Sequence, residues 1–106
     1  SVTIAPRQAG PLAMTLHELG MNAFKYGAWA DGCGSISVAW RLQQDTIRIE
    51  WNETGGPRID SAPKHGIGLN LVTGFIKHEL HGDVSLDFET DGLTANISFP
   101  FESATT

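Results

Sequence analysis

The sequence predicts a two-layer α/β sandwich, with helices on one face of a mixed, mostly antiparallel sheet. Three observations carry this reading. Apolar residues recur at helical spacing before residue 27 and again after residue 68. They alternate at period two over 36–51 and 84–99, and each alternating stretch is broken by a short polar turn, the mark of a hairpin. The order is therefore β, α, β, β, flap, α, β, β, with no βαβ unit opening on a glycine-rich fingerprint and no P-loop, which excludes a Rossmann unit.

Length and composition set the outer bounds. With 106 residues, 41% of them apolar and 18% charged, the chain suits one globular domain and not a disordered segment. No apolar run approaches the ~18 residues of a membrane span, so no direct membrane insertion is expected. No basic segment leads into an apolar stretch as in a signal peptide. A net charge of −5 without a basic stripe argues against nucleic acid as a partner. Any polyanion must then be met by local cations, for which Lys25, Arg58 and Lys64 are the candidates. Cys33 is the single cysteine and is read as structural. The chain opens on SVTI with no initiator Met, as a piece of a longer protein would.

Taken in order, Ser1 to Ile4 reads as a short strand ended by Pro6, whose missing N–H stops a ladder. Gly10-Pro11 opens the first helix, which runs to Tyr26 and stops at Gly27, a residue type favoured just past a helix end. Gly20 inside it points to close packing on the side away from the polar stripe described below. Ala28 to Ser35 is a loop. Ile36, Val38, Trp40 and Leu42 then share one strand face, Gln43-Gln44-Asp45 turns the chain, and Ile47, Ile49 and Trp51 align on the returning strand. Asn52-Glu53-Thr54-Gly55-Gly56-Pro57 ends that strand on a carboxylate and a diglycine, where backbone turns sharply or something approaches closely. Arg58 to His65 is a flap. Gly66-Ile67-Gly68-Leu69 leads into a second helix whose apolar stripe is Leu69, Val72, Ile76 and Leu80, ending at Gly82. Val84, Leu86 and Phe88 form a strand, Asp91-Gly92 turns it, and Leu93 to Phe99 pairs back. Glu102 to Thr106 is a tail.

The first helix carries two functional stripes. At about 100° per residue, Leu12, Leu16, Leu19, Ala23 and Tyr26 form a core face. Rotated from it by roughly 100–120°, Glu18, Asn22 and Lys25 stack a carboxylate, an amide and an ammonium at i, i+4 and i+7. By itself such a ladder is also what an ordinary solvated helix face carries. The glycines before the second helix could present bare N–H groups to phosphate oxygens, although glycines before helices are common in plain loops.

Three stretches together give the ladder a context. LHELGMNAFKYGA (16–28) resembles the N box of histidine kinase catalytic domains, WNETGGP (51–57) the adenine-binding G1 box in its W-x-E-x-G-G-P form, and GIGLNLV (66–72) the G2 box. Their order resembles the Bergerat-fold ATPase superfamily, and His17, Trp51 and Glu53 match the residues for which the HWE subfamily of sensor kinases is named. The resemblance runs from Val2 to Pro100. It implies one catalytic ATP-binding domain over 1–106, the C-terminal part of a longer sensor kinase in the cytoplasm, soluble or membrane-attached as a whole.

The resemblance also implies roles. Asn22 would ligate Mg²⁺ beside ATP, Lys25 would meet phosphates, Tyr26 would add a hydroxyl contact or fill the core, and Glu18 would serve as general base. Glu53 would accept a hydrogen bond from the adenine 6-amino group, with Gly55 letting the purine lie on backbone. Gly66, Gly68 and Leu69 would bring amides to the phosphates, and Thr94 would stand near the adenine. The implied partners are an upstream dimerisation and phosphoacceptor domain and the receiver domain of a response regulator. The chain itself carries no acceptor segment: His17, His65, His78 and His81 lie in no such context. His17 falls off the polar stripe and is read as structural or as a contact to another domain, and Trp51 as packing beside Ile47 and Ile49. Trp29 and Trp40 are read as packing or as partner surface. An intact set of Glu18, Asn22, Lys25, Glu53, Gly66 and Gly68 argues against a degenerate docking module. An anti-sigma serine kinase or an ATP hydrolase would share the fold, and the W-x-E box favours the HWE reading over both.

Overall fold

In the computed structural model the described residues are 4–25, 27, 32, 34–56, 72–89 and 92–102. They form helix α1 (Pro6–Lys25), strands β1 (Ser35–Gln43) and β2 (Thr46–Thr54), a π-helical turn at Phe75–Glu79, and strands β3 (Asp83–Glu89) and β4 (Gly92–Pro100). The four strands make one sheet in the order β1-β2-β4-β3, and every pairing among them is antiparallel. The expected first strand falls on residues outside the described set, apart from Ile4, which makes a single bridge.

Helix α1 starts at Pro6, not at Pro11. Pro6 takes the first helical position, where its fixed φ fits and its absent N–H is not missed. The carbonyl of Ala5 caps the turn, accepting from the N–H groups of Gln8 at 2.9 Å and Ala9 at 3.1 Å. Pro11 then sits inside the helix, where it deprives the Arg7 carbonyl of a donor. Distant residues hold the extra turn in place. The Gln8 amide donates to the Pro100 carbonyl at 2.6 Å and accepts from the Glu102 N–H at 3.0 Å. The Ala5 N–H donates to the Glu102 carbonyl at 2.9 Å, and the Arg7 guanidinium forms a two-pronged pair with the Glu102 carboxylate. That hydrogen bond, and then the charge of Glu102, raise the pKa of Arg7 further above its ordinary value, so the guanidinium stays cationic.

The core lies between α1, the π-turn and one face of the sheet. Leu19 and Ala23 from α1, Val72, Ile76 and Leu80 from the second helical segment, and Leu93, Ala95, Ile97 and Phe99 from β4 are buried together with Ile47, Ile49 and Trp51 of β2. Each large apolar side chain so buried contributes about 1.5–3 kcal/mol. Leu12 and Leu16 pack on the rim of this cluster, and Thr15, buried, donates its hydroxyl to the Pro11 carbonyl at 2.9 Å. Tyr26 and Leu69 lie outside the described residues.

Three details differ from the pattern in the sequence. The second helix is π-wound over Phe75–Glu79, with the Leu80 N–H donating five residues back to the Phe75 carbonyl at 2.9 Å. Residues four apart still share a face, so Val72, Ile76 and Leu80 remain buried as the apolar stripe requires. Second, the apolar face of β1 is only partly covered: Val38, Trp40 and Leu42 are 51%, 58% and 40% exposed. They stand opposite Trp51, Ile49 and Ile47 in register, on the core side of the sheet, but β1 is its edge and extends past the buried cluster. Trp40 is therefore surface, not packing. Third, Gly20 makes no close approach, since a Cβ built there would meet nothing within 4 Å.

The β1–β2 hairpin closes through Gln44 and Asp45, both at positive φ (50° and 64°), the geometry of a type I′ turn. The Phe101 N–H donates to the Asp45 carbonyl at 2.7 Å, which ties this turn to the end of β4.

Candidate functional site

The site forms where the end of β2 meets the end of α1. Strand alternation puts Ile47, Ile49, Trp51 and Glu53 on the face that packs against the helices, so β2 ends by sending a carboxylate into the core side of the sheet. Glu53 is 3% exposed. The indole Nε1–H of Trp51, two residues earlier on the same face, donates to Glu53 Oε2 at 2.9 Å. Trp51 is thus packed among apolar neighbours, as its alignment with Ile47 and Ile49 requires, and also supplies a buried carboxylate with a donor.

Two glycines close on the same residue. Gly27 follows α1, and a Cβ built on it would lie 2.1 Å from Glu53 Oε1. Its φ is not in the left-handed region, so the helix end does not require glycine for backbone reasons; the space is taken by the carboxylate. The Gly27 N–H continues the helical pattern, donating to the Ala23 carbonyl at 3.1 Å and the Asn22 carbonyl at 3.2 Å. Gly92, at φ 148°, lies against the backbone of Glu53, where a Cβ would come within 2.0 Å of its carbonyl oxygen.

Glu18 and Asn22 are half-buried on α1, flanking the buried positions Leu19 and Ala23, and Lys25 is exposed one turn further on. The helix that ends against Glu53 therefore carries all three polar residues of the ladder on the stretch leading to the contact. Gly55, just past β2, is at φ 77°, a backbone conformation that suits glycine. Tyr26, Gly66, Gly68 and Leu69 lie outside the described residues.

Thr94 is placed elsewhere. It stands opposite Asn52 and donates its hydroxyl to Asn52 Oδ1 at 2.9 Å, while its neighbours Leu93 and Ala95 point to the core. Alternation thus puts Thr94 on the outer face of the sheet, away from Glu53. That outer face also holds a shallow trough of about 490 Å³, lined by Arg41, Arg48, Glu50, Asp83 and Asn96 among others, and none of the expected site residues borders it. His17 is exposed, as are His78 and His81.

What sequence reasoning missed here are the donor role of Trp51 and the spatial role of Gly27. A signal for the first was present: tryptophan and glutamate at i and i+2 on one strand face are neighbours, and a buried indole N–H needs an acceptor.

The comparisons agree with this architecture. No protein-family model matches the chain. Its sequence is 35% identical over 102 residues to blue-light-activated histidine kinase 1 of Erythrobacter litoralis, covering 93% of this chain and 28% of that protein. A blue-light-activated histidine kinase of Rhizobium johnstonii is 33% identical over 92 residues, covering 85% of this chain and 27% of that protein. The chain thus spans about a quarter of the length of these curated relatives. Among solved structures, the histidine kinase domain of the Erythrobacter litoralis blue-light-activated kinase superposes with a TM-score of 0.74 at 15% identity, covering 90% of this chain and 48% of that one. The catalytic domain of the histidine kinase ThkA superposes with a TM-score of 0.69 at 18% identity, covering 89% and 68%. The fold is that of a histidine kinase catalytic domain. In sequence the chain is a homologue, over nearly its whole length, of the histidine kinases named blue-light-activated.

Proposed function

We propose that this chain is the ATP-binding catalytic domain of an HWE-type sensor histidine kinase. The observation that carries the reading is the buried Glu53 carboxylate at the end of β2, set against the end of the helix that bears Glu18, Asn22 and Lys25. Adenine offers an amino donor at its 6-position where guanine offers a carbonyl acceptor. A fixed, buried carboxylate pairs with the first and repels the second, a difference of a few kcal/mol. Gly55 leaves the purine room to lie on backbone. Gly66, Gly68 and Leu69 contribute amides to the phosphates by resemblance alone, as does Tyr26 its hydroxyl.

The polar ladder suits the other end of the nucleotide. Among the described residues no three His, Cys, Asp or Glu gather into a ready-made metal cage. Asn22 offers one neutral oxygen, which fits an ion that keeps waters and takes its remaining ligands from phosphates, as Mg²⁺ does. Bound there, the ion would neutralise charge on the β- and γ-phosphates. Lys25 adds a mobile point charge. Glu18 takes up or orients the N–H proton of the accepting histidine while its other ring nitrogen bonds to the γ-phosphorus. The bond from that phosphorus to the bridging oxygen breaks, and ADP leaves. The acceptor belongs to a separate dimerisation domain, and an aspartate of a response regulator receives the phosphoryl group next. Among the described residues no helix is long and apolar enough to cross a membrane.

Calorimetry of the chain with ATP and GTP, with and without Mg²⁺, tests the proposal. Magnesium-dependent binding that favours ATP is expected; equal affinity for the two nucleotides removes the role given to Glu53.

A further inference from the structure

We infer that Trp51 and Gly27 are positioning residues that set the base selectivity of the site, by holding the Glu53 carboxylate in one orientation from two sides. The inference rests on the reading that Glu53 meets the purine. A glutamate side chain has three rotatable bonds, so burial at the end of a strand does not by itself say where its oxygens point. Here two independent features do. The Trp51 indole proton holds Oε2 at 2.9 Å, and because Trp51 is itself 6% exposed, the donor cannot swing away without opening the core. On the other side the carboxylate occupies the volume that a side chain on residue 27 would need, 2.1 Å from Oε1 and 3.2 Å from Cδ for the first carbon alone. Any residue larger than glycine there displaces the carboxylate or the end of α1.

The consequence is specific to recognition. A carboxylate has about four lone-pair sites; the indole proton takes one, and an exocyclic amine would take another. Orientation then decides whether that second site faces the 6-position of a bound purine. With the clamp loosened, the carboxylate can rotate away from a guanine carbonyl as readily as toward an adenine amine, and discrimination falls although the charge remains.

The test compares wild type with Trp51→Phe, which keeps a packed ring without the N–H, and Gly27→Ala, which adds one carbon at the contact. For each, calorimetry gives the affinities for Mg·ATP and Mg·GTP. The ATP-over-GTP preference is expected to fall about tenfold in both variants, the size of one hydrogen bond to a charged group. A merely structural role would weaken both nucleotides equally and leave the ratio unmoved. Folded variants that keep the wild-type ratio overturn the inference. The contact is also read without nucleotide: the indole N–H resonance of Trp51, assigned by its loss in Trp51→Phe, is expected to shift upfield in Glu53→Gln. An unmoved resonance overturns the clamp even where a variant folds poorly. Equal ATP and GTP affinity in wild type, with the resonance shifting as expected, instead overturns the adenine reading beneath it.

Discussion

Gly92 lies against the backbone of Glu53, so close that a Cβ on Gly92 would stand 2.0 Å from the Glu53 carbonyl oxygen and 2.7 Å from its carbonyl carbon. The obstacle is backbone and cannot rotate out of the way. Gly92 also holds φ at 148°, where other residues are strained. Gly92→Ala is therefore expected to destabilise the chain by about 2–4 kcal/mol, read as a fall in the urea midpoint.

Gly20 is the opposite case. It sits inside α1 with nothing within 4 Å of the place a Cβ would take. Gly20→Ala is expected to stabilise the chain by about 0.5–1 kcal/mol, through helix propensity and a less flexible unfolded state. A loss of stability in the same urea titration would show that some neighbour needs the gap.

Gln8 joins the first turn of α1 to the residues after β4 through hydrogen bonds at 2.6 and 3.0 Å, and it is 4% exposed. Gln8→Ala leaves the Pro100 carbonyl and the Glu102 N–H without that partner, at a cost of about 1–3 kcal/mol. Hydrogen exchange at the Glu102 amide should accelerate in the variant. Unchanged protection would mean that the Arg7 pair and the Ala5–Glu102 backbone bond hold the junction without Gln8.

Trp40 and Trp51 lie on the same side of neighbouring strands, 58% and 6% exposed. Trp51→Ala is expected to cost about 3–5 kcal/mol as a core truncation, and Trp40→Ala about 1 kcal/mol or less. Equal costs would show that β1 is covered in solution.

Asn22 carries the metal part of the proposed function. Asn22→Ala is expected to abolish the magnesium dependence of ATP affinity while leaving Mg-free nucleotide binding within about twofold, since one neutral ligand from the protein is all the ion would take there. Calorimetry at several Mg²⁺ concentrations reads this directly, and an unchanged dependence would move the ion to another ligand.

Local pattern carried much of this molecule. Period-two alternation placed β1, β3 and β4 to within a residue at each end and β2 to within three, and a polar turn between alternating runs marked both hairpins. The helical spacing of Leu19 and Ala23, and of Val72, Ile76 and Leu80, named residues that are all buried. The W-x-E-x-G-G run singled out Glu53 before any neighbour across the sheet was known. These features were legible because each follows from sequence neighbours and the fixed periods of helix and strand.

The remaining features depend on contacts between residues far apart in the chain. Pro6 could open α1 only because Gln8 and Arg7 bond to Pro100 and Glu102, more than ninety residues away. Whether the apolar face of β1 would be covered depended on how far the helices reach across the sheet, which alternation cannot express. Thr94 looked like a site residue by alignment, and the sheet register turned it to the outer face. Gly27 read as a helix stop and proved to be the space a carboxylate needs. The sequence by itself determined which elements form and which residues carry polar chemistry, through local periodicity. Tertiary structure alone decided where α1 starts, which strand face stays open, and that Gly27 leaves the space Glu53 fills, because each is a matter of volume and hydrogen bonding between segments that meet only in the folded chain.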